Sequence, residues 1–363
     1  MKNFMLSSNP TSPFLQKLSK GLVSTFSKNE FTYTDNPDDP LQLVFHFVSE
    51  DEIKPFRRKA QATFVVAVLE STGKPYDLFT EVYPFLIRSL ANHFMYINHR
   101  SGKTDIHFLT PEQGCYSISY HEGDDEQLFF DKIYNRLQPL TCSRLVIDNQ
   151  FSEDLPKPLW QGDRVTIELS QSGKKLDEMD LLPAPFPLDK YLSERDMRHL
   201  NKLYGLGGLS YGNLSARSDE EHFWMSASGI NKANMKEIGR DILYIKGYND
   251  KENHIEVSIP PNVTPKRASV DAIEHWMIYK EHPDVGAIVH IHAWMDGIQA
   301  TEINYPCGTI ELAETVASLI RESDNPAEAI IGLKNHGLTI TGPSLENIFN
   351  RIEGKIKRQV PMS

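Results

Sequence analysis

At 363 residues the chain is long for one domain and comfortable for two. Its hydrophobic fraction of 40% and charged fraction of 24% are those of an ordinary soluble globular protein. A net charge of −11 argues against nucleic acid as a partner, and no apolar run is long enough for a membrane-spanning helix. The partner expected on these grounds is a small-molecule substrate, with no nucleic acid and no membrane. The opening segment from Met1 to Pro10 has too short an apolar stretch for a secretory signal. Cys115, Cys142 and Cys307 are odd in number and scattered, which suits reduced thiols. A cytoplasmic location is therefore expected.

The first half reads as a mixed α/β domain over residues 1–181. Strands are expected at Leu43–Val48, Ala62–Leu69, Ile106–Leu109, Tyr116–Tyr120 and Arg164–Leu169, with helices at Asp77–Ile97 and Asp125–Gln138. His93, His99 and His107 follow no ligand spacing and read as structural. There is no phosphate loop, no Gly-rich dinucleotide turn and no nucleophile elbow. This half does not disclose its role. The run Leu182-Pro183-Ala184-Pro185-Phe186-Pro187-Leu188 then reads as a linker, because alternate prolines remove donors and favour an extended path.

Residues 189–363 read as a second α/β domain, an α/β/α sandwich. A helix over Ser193–Tyr204, with Ser193 as its N-cap, is closed by Gly205-Leu206-Gly207-Gly208. Strands follow at Leu214–Arg217, His222–Ser226 and Asp241–Ile245, then a helix from Ser269 that Pro283 stops. Beyond it come the strand Gly286-Ala287-Ile288-Val289-His290-Ile291-His292, a helix over Leu312–Arg321, and a strand–turn–strand carrying Asn335-His336-Gly337.

The histidines carry the chemistry. Residues two apart on a strand share a face, so His290 and His292 present two imidazoles together. His336 supplies a third, and three neutral imidazoles suit a catalytic zinc with an open coordination position. The pair alone would equally suit two hydrogen-bonded core histidines. Asp271 falls in the first turn of the helix begun at Ser269, where capping and the helix dipole fully explain an acid.

Gly212-Asn213-Leu214-Ser215, Ser228-Gly229, Ser269-Val270-Asp271, His290-Ile291-His292, Gly308-Thr309-Ile310-Glu311-Leu312 and Asn335-His336-Gly337-Leu338 occur in the order of the class II aldolase/adducin domain. From near Glu194 to near Gly354 the chain resembles that family. The resemblance implies that His290, His292 and His336 bind zinc or another divalent metal. It implies that Asp271 is the catalytic acid/base, and that Asn213, Ser228, Gly229 and Ser269 hold the substrate's phosphate. Val270 stands where the family has a second serine. Tyr305 lies near the place of the family's catalytic tyrosine without aligning, in a segment that looks shortened, and the family's C-terminal arm is expected to be missing. The function expected is a metal-dependent lyase stabilising an enediolate of a small hydroxy-carbonyl compound by retro-aldol cleavage of a sugar phosphate. Epimerisation, β-keto acid decarboxylation and a non-catalytic adducin-like scaffold role stay open. A homo-oligomer is expected from the family.

Overall fold

A computed structural model describes residues 2–60, 63–73, 77–111, 114–183, 188–204 and 210–363, and gathers their strands into two sheets. The first contains β1 (Lys2–Ser7), β2 (Phe31–Tyr33), β3 (Leu41–Phe47), β4 (Phe64–Ser71), β5 (His93–Arg100), β6 (Lys103–Thr110) and β7 (Gly114–His121). Their order is β2-β1-β3-β4-β5-β6-β7. The first five pair in parallel, and β6 and β7 are antiparallel. Val65–Val68 in β4 are buried without alternation, the pattern of a parallel strand covered on both faces. Helices Pro13–Lys28 and Glu126–Cys142 pack on one another in this unit.

The long helix expected at Asp77–Ile97 is corrected. Two short helices, Leu78–Glu81 and Tyr83–Ser89, stand there, and Leu90 at φ +51° turns the chain toward β5. The apolar run continues through the break because β5 is buried on both faces. A strand of that kind shows no period that would separate it from a buried helix.

The second sheet contains β8 (Asp148–Ser152), β9 (Asn213–Arg217), β10 (Phe223–Ser226), β11 (Ile242–Asn249), β12 (His254–Ser258), β13 (Ala287–Ile291), β14 (Gln299–Ala300), β15 (Ile330–Leu333) and β16 (Gly337–Gly342). They run in the order β14-β15-β16-β13-β9-β10-β11-β12-β8. The pairings are antiparallel except at the two edges, where β14 and β8 are parallel to their neighbours. Helices cover both faces. Phe223 meets the Tyr279 ring of helix Ala272–Glu281, with centroids 4.8 Å apart. The next residue, Trp224, donates its indole N–H to Asp163 at the start of helix Arg164–Glu178. Neighbouring residues of a strand point to opposite faces, so these two helices lie on opposite sides of the sheet. Helix Ile310–Glu322 packs beside the first and helix Leu345–Ile352 beside the second.

Two further expectations are corrected here. Arg164–Leu169 is the start of a helix and not a strand. Asp163 accepts from Thr166 N at 3.0 Å, while Thr166 Oγ1 accepts from Asp163 N at 2.9 Å, which closes a capping box. The alternation of Val165, Ile167 and Leu169 imitated a strand, yet the buried set is Leu169, Ser172, Gly173 and Leu176 at helical spacing. The boundary also moves. One compact unit comprises Met1–Cys142, Phe186–Gly207 and Met362–Ser363, and the other Ser143–Pro185 and Gly208–Pro361. Residues 143–181 therefore leave the expected 1–181 domain, because β8 pairs with β12. Helix Glu194–Tyr204 leaves the expected 189–363 domain for the first unit. One of the crossings falls within the Leu182–Leu188 seam. Residues 184–187 of that seam and the Gly205–Gly208 helix stop lie outside the described residues.

Asp163 serves as both helix cap and acceptor for a buried indole. Replacing it with Ala should lower stability by about 2 kcal/mol, the scale of a lost cap plus an orphaned donor. Urea denaturation measures this. A loss below about 0.5 kcal/mol would show that the indole finds water instead.

Candidate metal centre

The histidines owe their positions to sheet register. β13 lies between β9 and β16, with His290 opposite Asn213 on one side and Thr339 on the other. His292 follows one residue after the strand ends at Ile291. His336 rides on the turn joining β15 to β16, where Asn335 adopts φ +58° and His336 N donates to Leu333 O at 3.0 Å. Gly337 is required there, since a Cβ would collide with the Ile291 carbonyl at the end of β13.

The three side chains converge. Each offers a nitrogen, and these nitrogens lie within 4.8 Å of one another. The rings of His290 and His336 stack at 7° with Nε2 atoms 3.0 Å apart, and His292 meets both edge-on. His290 Nδ1 donates to Leu338 O at 3.0 Å, which leaves its Nε2 lone pair facing the cluster. Burial lowers the pKa of all three, so each is neutral at ordinary pH. Neutral, buried nitrogens at this spacing fit a divalent cation, for which metal–nitrogen bonds of about 2 Å put neighbouring donors roughly 3.3 Å apart. Cys307 Sγ lies 3.2 Å from His336 Nε2, at the margin of the same cluster.

Asp271 is not the capping acid its sequence position suggests. It is the N-cap residue of helix Ala272–Glu281, yet its side chain makes no capping bond. Its Oδ2 instead accepts from Asn213 Nδ2 at 2.7 Å and lies 4.0 Å from His290 Nε2, with the residue only 6% exposed. Ser269, expected to be the cap, bonds the same group: its hydroxyl accepts from Asn213 Nδ2 at 3.1 Å and lies 3.4 Å from Asp271 Oδ2. Asn213, Ser269, Asp271 and His290 thus form one connected set. Ser228 and Gly229 are on the neighbouring turn and bond elsewhere. Ser228 is exposed and its N–H donates to Arg267 O, while Lys266 Nζ donates to Gly229 O. The recorded electrostatic neighbours of Tyr305 are Glu311 and Glu314, away from the histidines.

Two buried groups here escaped the sequence reading. Glu274, three residues after Asp271, accepts from Thr339 Oγ1 at 2.5 Å, and its Oε2 has no partner. Burial, with Asp271 beside it, pushes its carboxyl up to about 8. Lys232 is 3% exposed, and burial lowers its ammonium to about 8 against the pull of Asp271. The surrounding Asn231-Lys232-Ala233-Asn234 reads as a surface loop, so only its nearness to Ser228-Gly229 signalled a role.

Glu274 gives a pH test. Its folded carboxyl holds the proton more tightly than the unfolded chain does. That contribution is complete below about pH 4.5 and is lost as pH rises toward 8. Glu274→Gln stays neutral throughout. Its stability advantage over the wild type in metal-free protein should widen from about pH 5 to about pH 8 by urea denaturation. A pH-independent difference would rule out a buried, proton-retaining Glu274.

Comparison with known proteins follows this geometry. Residues 197–301 match the family model described as Class II Aldolase and Adducin N-terminal domain, a span that includes His290 and His292 and stops short of His336. An L-fuculose phosphate aldolase of Methanococcus maripaludis is 26% identical over 165 residues, covering 40% of this chain and 79% of that protein. A methylthioribulose-1-phosphate dehydratase of Citrobacter koseri is 22% identical over 174 residues, covering 39% of this chain and 78% of that protein. A solved L-fuculose 1-phosphate aldolase aligns at 24% identity and TM-score 0.36, covering 53% of this chain and 81% of its own. The first 196 residues lie outside the family match, and the segment 197–301 carries a class II aldolase and adducin N-terminal domain.

Proposed function

We propose that this chain is a divalent-metal-dependent lyase, with zinc held by His290, His292 and His336 and with Asp271 moving the proton. The observation that carries the reading is Asp271: a buried carboxylate at a helix start that declines the cap and lies 4.0 Å from a histidine of the cluster. A cation bound by three neutral imidazoles supplies Lewis acidity toward a carbonyl oxygen. The chain's own residues do the rest. Asn213 and Ser269 fix the Asp271 carboxylate by hydrogen bonds, so it is oriented before substrate arrives. In retro-aldol cleavage Asp271 Oδ2 takes the proton of a substrate hydroxyl as the neighbouring C–C bond breaks toward the carbonyl side. It returns that proton to the new carbon centre. The same proton traffic serves epimerisation or β-keto acid decarboxylation.

Cleavage of a sugar phosphate is placed first because relatives covering 40% and 30% of the chain are named as fuculose phosphate aldolases. Retention of all three histidines in a buried, neutral cluster supports catalysis over a scaffold role. Asn213 and Ser269 are the proposed substrate contacts nearest Asp271. Ser228 and Gly229 flank the same chain segment through the Ala227–Ala268 bridge. A cytoplasmic homo-oligomer completes the proposal. No helix among the described residues is long and apolar enough to cross a membrane.

Purified protein should hold about one divalent ion per chain by elemental analysis, and His336→Ala should hold none. With L-fuculose 1-phosphate and methylthioribulose 1-phosphate as first substrates, Asp271→Asn should keep the ion and the melting temperature. Its turnover should fall by about 10²–10⁴-fold, the scale of a lost acid/base. A metal-free wild type, or an Asp271→Asn protein with full turnover, would overturn the reading. Light scattering should report more than one chain per particle, and a monomer would count against the assembly.

A further inference from the structure

Lys232 stands apart from every other lysine in its surroundings. Its main-chain N–H donates to Ser210 Oγ at 2.9 Å and its Nζ donates to Ser210 O at 2.7 Å, which fixes the head group inside the unit. An ammonium has three donors, and this is the one hydrogen bond its head makes within the chain. The residue is 3% exposed, so solvent does not satisfy the remainder freely. The charges that act on it identify the place. Asp271 attracts it, and it in turn lowers the proton affinity of His290 and His292. Lys232 therefore faces the pocket that holds the histidine cluster and the candidate base. Arg358, which lies 3.8 Å from Asp180, adds positive potential at His292.

The balance of charge is the second argument. The three imidazoles are neutral, and Glu274 keeps its proton below its raised pKa. Lys232 and Asp271 then offset one another, so a bound dication leaves the buried pocket with about two uncompensated positive charges. A buried excess of that size is met by a ligand of opposite sign, and the unspent Nζ donors are where its oxygens would be received.

We propose that Lys232 is the anion anchor of this site, receiving an oxyanion of the substrate, a phosphate monoester or a carboxylate, on its two unspent N–H groups. The assignment rests on the metal reading for the size of the charge excess, but not for the donors, which belong to the metal-free chain. Lys232 thereby supplies the charge-assisted contact that the serine replaced by Val270 cannot. The substrate class that follows is a hydroxy-carbonyl compound bearing one strong acid group. A neutral sugar would leave the ammonium unsatisfied.

The test uses chelator-stripped and zinc-reloaded full-length protein, with inorganic phosphate and glycolate as probes. Inorganic phosphate or glycolate should raise the melting temperature of the stripped wild type, and whichever does so identifies the oxyanion. Lys232→Met should melt no lower than wild type in probe-free buffer, because it removes an unneutralised buried cation. It should bind the probe at least tenfold more weakly by calorimetry and keep its zinc content. Lys232→Arg, which retains the charge, should recover part of the affinity. If Lys232→Met melts well below wild type while Lys232→Arg binds the probe as tightly as wild type and melts like Lys232→Met, the lysine is a structural clasp for Ser210 and the proposal fails. Undiminished probe binding in Lys232→Met, or no response to either probe in the wild type, also overturns it. Loss of zinc from every variant with the phosphate or glycolate response intact would instead fault the metal reading and leave the anchor standing.

Discussion

The site depends on one row of residues across the middle of the second sheet. Antiparallel pairing of β13 with β9 and β16 sets Asn213, His290 and Thr339 side by side, and directly paired residues share a face. Above that face lies the first turn of helix Ala272–Glu281, with Asp271 and Glu274 three residues apart and so on one side of the helix. Asn213 takes hold of Asp271 and Thr339 takes hold of Glu274, while His290 stands between them. A slip of one residue in β13 would turn His290 to the opposite face and leave both acids facing aliphatic side chains. Register, more than any single bond, decides whether this is a site.

That arrangement buries more polar atoms than a core ordinarily accepts, and the structure handles each differently. The histidines are neutralised by burial and tied through His290 to the Leu338 carbonyl. Glu274 keeps its proton. His275, next along the helix, is held down to about 3 by burial, with its Nδ1 2.7 Å from Ser215 Oγ, which also meets the Tyr279 hydroxyl at 2.9 Å. Asn213 Oδ1, Glu274 Oε2 and His275 Nε2 are left without partners around the same helix. Unsatisfied atoms gathered in this way cost stability, and they are retained where an environment fixed in advance serves a developing charge.

The sequence disclosed the strand with two histidines, the helix before it and the turn bearing His336, because each has a local cause. Those causes are alternation, a proline stop, and a left-handed position filled by Asn335. The same local reasoning mistook Asp271 for a cap, since position in a first turn says nothing about where a carboxylate rotates. It also read Arg164–Leu169 as a strand, because three alternating aliphatics outweighed the Asp163–Thr166 capping box. The division between units was not legible at all. It turns on β8 crossing to pair with β12 more than a hundred residues later, a contact with no sequence-local trace. Lys232 was hidden for the opposite reason: lysine among asparagines looks solvated until burial is known.

The departure at Val270 gains a physical reason from its neighbour. Gly308, at φ +73°, comes so close to Val270 that an added Cβ there would lie 2.8 Å from the valine Cβ. The valine is a packing partner for the turn Cys307-Gly308-Thr309. On its other side that turn is pinned by the bond from Val146 N to Gly308 O and the bridge of Leu145 to Thr309. With Val270 beside Gly308, the turn brings Cys307 against His336 and starts helix Ile310–Glu322 under the Thr309 cap. A serine at 270 would offer a hydroxyl but less apolar contact to hold the turn. The exchange of hydroxyl for methyls thus strengthens the wall beside the histidines, and it leaves recognition of a negative substrate to a group with charge of its own.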